Sequence, residues 1–412
     1  MTDGSESRAL AADLVHRVLT GGAYSNVLVR NETGPLPSQD ARFVQRLVYT
    51  VLRFLPRLDH TIAAYADRSK DRIDPVTLDG LRVGTAELLF LGSSPYGAVD
   101  AAVDAVRLRG ASRAAGFVNA VLRKMAAGGE VAMPAGTAGT AMHFGVAPWL
   151  YEHLRATWGT DETEAFLASS NEPARLGLRV RGGASVGHGE WVPGIPEAWW
   201  CDEPEVVGSL VAEGAASIAD PASTAVGHAV GVGPGMRVAD LAAAPGGKTL
   251  QLVDAMAGDG TLVAIDRHER RIRAARRRLG TDGATVTWVV ADARQPPLAP
   301  GRFDRVLLDA PCTGLGTLRR RPEIKHRLAA NAPFEAGKRQ RAMLDAALAL
   351  LAPGGRLVYS VCTVFAEETV DVVTGRRGRA PTDLPGRPFG DGLLLGPHTT
   401  GTDGMFICVF DR

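Results

Sequence analysis

The chain has 412 residues, 45% hydrophobic and 22% charged, with a formal net charge of +1. That composition describes a globular protein of about two or three domains and excludes a disordered chain. It neither favours nor excludes a nucleic-acid partner, which a strongly basic total would have favoured.

Residues 7–30, 40–66, 75–92, 97–108 and 111–126 carry apolar side chains at helical spacing, such as Leu10, Leu14, Val18 and Phe43, Leu47, Val51. Asp40 is a candidate N-cap. An all-α bundle over 1–130 follows. Residues 127–139 are small and Gly-rich and read as a linker. A helical stretch at 147–169 leads into Gly- and Pro-rich sequence at 174–218 with short apolar pieces. Residues 140–216 are therefore expected to form a connector with a short helical and irregular subdomain. Met1-Thr2-Asp3-Gly4-Ser5-Glu6 lacks the parts of a signal peptide, and no segment reaches the roughly 18 apolar residues of a membrane span.

From 217 to 412 strands alternate with helices, which predicts a Rossmann-like parallel sheet. Strands are expected at 236–241, 261–266, 285–291, 303–308 and 356–360, with helices at 249–256, 270–279 and 335–352. A closing strand at 405–410 is expected to run antiparallel. Ligands of such sheets sit beyond the carboxyl ends of the strands. Asp240, Asp266, Asp292, Asp309, Cys312 and Cys362 all fall there.

Ala242, Ala243, Ala244, Pro245, Gly246, Gly247 and Lys248 form a turn of small residues opening a helix, where a ligand can approach backbone amides. The turn ends like a phosphate-binding loop, but position 242 is alanine where that motif needs glycine. Asp266 is placed to accept from two ribose hydroxyls, and Asp292 from an adenine amino group. Each has a plain alternative as a helix N-cap. Together they describe an adenosine pocket without a polyphosphate cradle, which S-adenosylmethionine fits better than ATP or NAD.

The chain has four cysteines, too few and too widely spaced for a disulfide framework, which suits a reducing cytoplasm. Cys312 and Cys362 each lie at the end of a predicted strand. Neither has partners at zinc spacing, so no metal is expected. They are either two buried structural thiols or a reactive pair. A thiolate adding to carbon 6 of cytosine makes carbon 5 nucleophilic enough to take a methyl group from a sulfonium. Asp309 is placed to bind the N3 and amino edge of that ring.

These segments resemble the RNA cytosine-5 methyltransferases of the RsmB/Nop2/Sun family. The resemblance rests on Asp240–Thr249, on Asp309-Ala310-Pro311-Cys312 with the block that follows to Lys325, and on Tyr359 to Glu368. Phe117 to Arg123 resembles a NusB-like RNA-binding domain. The resemblance implies that Cys362 is the nucleophile and that Cys312 assists release of the methylated base. Residues 242–248, Asp266, Asp292 and Asp309 would line the S-adenosylmethionine site, and Lys248 would orient Asp309 and the base. It implies an RNA substrate, ribosomal and of the small subunit, rRNA processing by methylation, and a monomer in the cytoplasm with no membrane partner. Ala242 replaces a usual cysteine, Thr369 a usual asparagine, and the connector is short. The short connector and the near-neutral total charge motivate one alternative, a C-methyltransferase acting on a small heteroaromatic molecule. Arg319, Arg320, Arg321 and Lys325, following Cys312, are expected to contact RNA phosphates. The arginines between 270 and 278 read as a solvated helix face.

Overall fold

The computed structural model describes residues 4–183, 187, 189–280 and 285–412. The remaining residues, among them 1–3 of the N-terminal motif and 184–186 and 188 of the connector, lie outside the description. The chain divides into two compact units, Met1–Asn171 with Leu318–Leu328, and Glu172–Thr317 with Ala329–Arg412. The helical unit thus extends past the expected boundary near 130 and takes back a short segment from far along the chain.

The helical unit contains α1 (Gly4–Gly21), α2 (Ser25–Thr33), α3 (Ser38–Ala66), α4 (Pro75–Ala86), α5 (Pro95–Leu108), α6 (Ala115–Gly128), α7 (Thr137–His143), α8 (Pro148–Trp158) and α9 (Thr160–Asn171). Leu14, Val15 and Val18 of α1 pack with Val44, Leu47, Val48 and Val51 of α3. Ile62, Leu81, Val103, Val106, Val118 and Leu122 form a second core. Pro37, not Asp40, precedes α3, and Asp40 lies in its first turn. Asp74 caps α4, accepting from the Thr77 amide at 3.0 Å.

The second unit holds two sheets. The stretch expected to be irregular folds as four antiparallel strands, β1 (Gly177–Val180), β2 (Glu190–Trp191), β3 (Ala198–Trp200) and β4 (Ala216–Ile218), in the order β2-β3-β1-β4. α10 (Pro204–Ala212) packs against β4, with Val207 beside Leu178, Cys201 and Ala216 in a small core. Next come α11 (Pro221–Val230), β5 (Arg237–Asp240), α12 (Gly247–Met256), β6 (Thr261–Asp266), α13 (Glu269–Leu279), β7 (Val286–Val290) and β8 (Phe303–Asp309). The chain then runs through α14 (Ile324–Arg327) in the helical unit and returns as α15 (Ala332–Ala349), β9 (Leu351–Val361), α16 (Val370–Val373), β10 (Arg387–Phe389), β11 (Gly392–Leu395) and β12 (Met405–Asp411).

The large sheet has the order β10-β11-β12-β9-β8-β5-β6-β7. β5 pairs parallel with both β6 and β8, and β8 with β9, while β12 closes antiparallel on β9. Val238, Leu262, Leu307 and Val358 are fully buried on these strands. The chain runs outward from β5 through β6 and β7, then restarts on the other side with β8. The strand order therefore reverses between β5 and β8, where a crevice opens beyond the carboxyl ends. Asp240 and Asp309 end those two strands. Among the described residues no helix is long and apolar enough to cross a membrane.

Candidate active site

The turn from β5 to α12 is shaped by its small residues. Gly246 has φ +94°, and a Cβ there would stand 2.8 Å from Leu279 Cδ1 and 3.2 Å from Ala275 Cβ, so the turn lies directly on α13. Behind it Asp240 is buried. Its Oδ2 accepts from Thr249 Oγ1 at 2.7 Å, while Oδ1 has no hydrogen-bond partner among the described residues. Burial pushes its pKa up to about 7; the Thr249 hydroxyl opposes this, and the Asp309 charge adds to it.

Lys248, in the first turn of α12, donates to Asp309 Oδ2 at 2.8 Å, and Ser360 Oγ donates to Asp309 Oδ1 at 2.8 Å. Asp309 is thereby fixed from a neighbouring strand and a helix. Burial works against the Lys248 ammonium, but Asp309, through its charge and its hydrogen bond, outweighs it and raises the pKa. A cavity lies over this pair, walled by Asp240, residues 242–245, Gly247, Lys248 and Asp309, with Ser217 and Ile218 of β4 and Arg278 of α13 at its sides. The small sheet that sequence reasoning left irregular thus supplies one wall.

Asp266 and Asp292 are not among these walls. Asp266 is buried at the end of β6, its Oδ1 accepting from the His268 amide at 2.9 Å and its Oδ2 lying 3.4 Å from Arg271. Asp292 accepts on both oxygens from Arg294, at 2.6 Å from Nη2 and 3.1 Å from Nε. These bonds, with the Arg294 amide, hold its carboxyl down at about 2. Its acceptor edge is therefore taken up by a local arginine.

Cys312 and Cys362 lie with their sulfurs 3.3 Å apart, both as free thiols. The backbone brings them together. Ala310 N–H donates to Ser360 O at 2.8 Å, and Gly316 N–H donates to Cys362 O at 3.0 Å. Gly404 N–H then donates to Gly316 O at 2.7 Å, and a Cβ on Gly316 would fall 2.0 Å from Gly404 O. Glu368 is fully buried beneath the pair. It accepts from the Thr313 amide at 2.9 Å, from Gln340 Nε2 at 3.0 Å and from the hydroxyls of Thr313 and Thr363. Its own pKa is raised by burial against these donors. The contact with Cys362 and then burial push the Cys312 thiol well up, with the charges of Glu368 and Asp309 adding to this. Cys312 therefore keeps its proton at neutral pH. Sequence reasoning did not assign roles to Ser360, Thr313, Gln340 or Glu368; the pattern that carried a signal was Glu367-Glu368 after the second cysteine.

The basic block after Cys312 divides. Arg319, Arg320 and Arg321 are half-buried in the helical unit, where Arg53 Nη2 donates to Arg319 O at 3.4 Å and Arg321 lies over the Tyr24 ring. Lys325 does not have the exposure expected of a phosphate contact. It is 3% exposed, and its ammonium donates to Arg53 O at 2.7 Å, Asn171 Oδ1 at 3.0 Å and Phe144 O at 3.2 Å. Burial, with the Arg53 charge adding to it, draws its pKa down to about 7. It clasps helices of its own unit.

A doubly wound sheet with a small-residue turn, a Lys–Asp pair and strand-end residues at its switch point defines a Rossmann-like methyltransferase class. The model for the 16S rRNA methyltransferase RsmB/F family matches residues 232–411, and that for the NusB family matches residues 5–127. Ribosomal RNA small subunit methyltransferase B of Xylella fastidiosa (strain Temecula1 / ATCC 700964) is 31% identical over 98% of both chains. A putative methyltransferase of Mycobacterium tuberculosis (strain ATCC 25618 / H37Rv) is 33% identical over 98% of this chain and 96% of its own. The chain belongs to the RsmB/F family of 16S rRNA methyltransferases, with a NusB-like helical region at its N-terminus. The crystal structure of PH0851 shares the fold with a TM-score of 0.82, at 24% identity over 100% of this chain and 99% of that one. NSun6 from Pyrococcus horikoshii with SFG shares it with a TM-score of 0.56, at 20% identity over 64% and 97%.

Proposed function

We propose that this protein transfers a methyl group from S-adenosylmethionine to carbon 5 of a cytosine in small-subunit ribosomal RNA, through a covalent bond between Cys362 and carbon 6. The observation that carries the reading is the pair of free thiols 3.3 Å apart, beside an aspartate held by Lys248 and Ser360. S-adenosylmethionine, when bound, supplies the methyl group. Its fit is supported by the small-residue turn at 242–247 and by the buried Asp240, which has an oxygen without a partner among the described residues. Lys248 and Asp309 complete that side, and Asp266 offers a buried carboxylate at the neighbouring strand end. Asp292 would serve only by releasing Arg294.

The chain's own groups suit each step. The Cys362 sulfur adds to carbon 6, and electron density moves to carbon 5, which takes the methyl group. Asp309, oriented by Lys248, binds the N3 and amino edge and steadies the charge that develops there. Carbon 5 then loses its proton to the Cys312 sulfur as that thiol passes its own proton to the departing Cys362 sulfur, the ring double bond re-forms and the sulfur–carbon bond breaks. Cys312, which keeps its proton, can donate to the departing sulfur and speed its release. The target cytosine must be unpaired or extruded to reach the thiols.

Trapping tests the reading. Cys312→Ala incubated with S-adenosylmethionine and unmethylated 16S rRNA should accumulate a protein–RNA adduct stable to denaturing electrophoresis, and Cys362→Ala should form none. Two active variants without an adduct would overturn the two-thiol mechanism. The small heteroaromatic acceptor is the less supported reading, because described residues between 177 and 218 form a four-stranded sheet and a relative named for ribosomal RNA matches over 98% of both lengths.

A further inference from the structure

α13 is the most basic element of the described chain. It carries Arg270, Arg271, Arg273, Arg276, Arg277 and Arg278 against one acid, Glu269, a net +5 over eleven residues in a chain whose total is +1. Ile272, Ala275 and Leu279 are buried and tie it to the sheet, and all six arginines are exposed. Two of the six have local work. Arg271 donates to Ala244 O at 2.6 Å and lies near Asp266, and Arg273 pairs with Glu269. Arg270, Arg276, Arg277 and Arg278 pair with no carboxylate among the described residues. Arg278 flanks the cavity and would stand 3.8 Å from a Cβ on Gly247.

Helix electrostatics account for only part of this. Cations in the last turn complement the helix dipole, which covers Arg276, Arg277 and Arg278. Arg270 lies at the opposite pole, and arginines three and four apart on one face repel one another. The charge therefore points to an anionic partner. The one exposed apolar side chain of the helix is Ala274, a single methyl where an interfacial helix would need a broad apolar face. A polyanion in solution fits better.

We propose that the outer face of α13 is a phosphate-contacting surface for the RNA substrate, laid along the rim of the cavity and carried by Arg270, Arg276 and Arg277. This rests on the RNA reading above and adds where the strand runs. Backbone contacts position without reading sequence, so the surface would bind flanking nucleotides irrespective of their bases.

The triple variant Arg270→Gln/Arg276→Gln/Arg277→Gln tests it, measured by binding to an unmethylated 16S rRNA transcript between 50 and 200 mM KCl. Each phosphate contact to a single strand contributes roughly 0.7 to the slope of log K against log salt, so the slope should fall by about 2 in magnitude. Affinity near 0.15 M salt should weaken at least tenfold, while S-adenosylmethionine affinity by calorimetry and Tm stay unchanged. The matching Arg→Lys triple should keep the wild-type slope. Slope and affinity within twofold of wild type, a Lys triple as weak as the Gln triple, or an equal loss of cofactor affinity would overturn the surface. Binding to anionic phosphatidylserine vesicles that exceeds RNA binding and needs the three arginines would overturn it in favour of a lipid. Wild-type protein that shows no salt-dependent binding to the transcript would instead sink the RNA reading itself.

Discussion

Thr313 and Thr363 hold their hydroxyl oxygens 2.9 Å apart, and each is the residue directly after one of the two cysteines. Glu368 accepts from both, so a single buried carboxylate sets the relation between two loops that end different strands. Glu368→Ala strands Gln340, two hydroxyls and the Thr313 amide without their acceptor. We expect unfolding free energy to fall by about 2–4 kcal/mol and single-turnover methyl transfer to slow at least tenfold. Glu368→Gln keeps one acceptor oxygen and should fall between. Urea denaturation and rapid-quench assays measure the two effects; a wild-type rate in Glu368→Ala would show that the thiols are positioned by the backbone alone.

Lys248 has its own test. Replacing it by methionine keeps the stem and leaves Asp309 held only by Ser360. The charged donor steadies Asp309 against the developing charge of the ring, so the barrier should rise by about 2–4 kcal/mol, a slowing of roughly thirty- to a thousandfold. Because the pair is partly buried, the urea midpoint should shift far less than the rate does. Equal losses in both would make Lys248 a structural residue.

Much of the site was legible because its residues fall at strand ends. In a parallel sheet the end of an apolar run such as Val306-Leu307-Leu308 announces where chemistry can sit, and Asp309, Cys312 and Cys362 follow that rule. What escaped was of three kinds. β1 to β4 have two to four residues each, too short for an alternating pattern to register, and their pairing is nonlocal. Lys325 looked like part of an arginine run, yet a backbone excursion into the helical unit buries it; a basic run carries no sign of which member turns inward. Asp292 shares its strand-end position with Asp266, but Arg294 two residues on claims its oxygens. Only side-chain geometry separates an open acceptor from a neutralised one.

Gly316 offers a steric probe. A methyl group there would overlap Gly404 O at 2.0 Å, and the atom in the way is backbone, which cannot rotate aside. Gly316→Ala must push the loop after Cys312 outward and weaken the bonds to Cys362 O and Gly404 N. We expect a loss of about 1–3 kcal/mol in unfolding free energy and a slower release of the covalent adduct, seen as a longer adduct lifetime in a chase experiment. A variant matching wild type in both would mean that the two loop segments separate freely there.

Asp240 ties the site to pH. Its pKa is about 7 in the folded chain, driven up chiefly by burial, against an ordinary aspartate value near 3.8. A raised folded pKa means that the native state holds a proton which the unfolded chain releases. The associated stability is complete below about pH 4 and disappears as pH rises through about 7. A three-unit separation corresponds to on the order of 4 kcal/mol. Asp240→Asn cannot titrate, and its amide oxygen can still accept from Thr249. Measured by urea denaturation, the stability of Asp240→Asn relative to wild type should therefore climb by that order between pH 4 and pH 8, with the rise confined to that window. Groups that do not interact with Asp240 titrate alike in both proteins and cancel in the difference. Parallel stability curves across the range would show that Asp240 is already ionised when folded, with some polar group reaching its second oxygen.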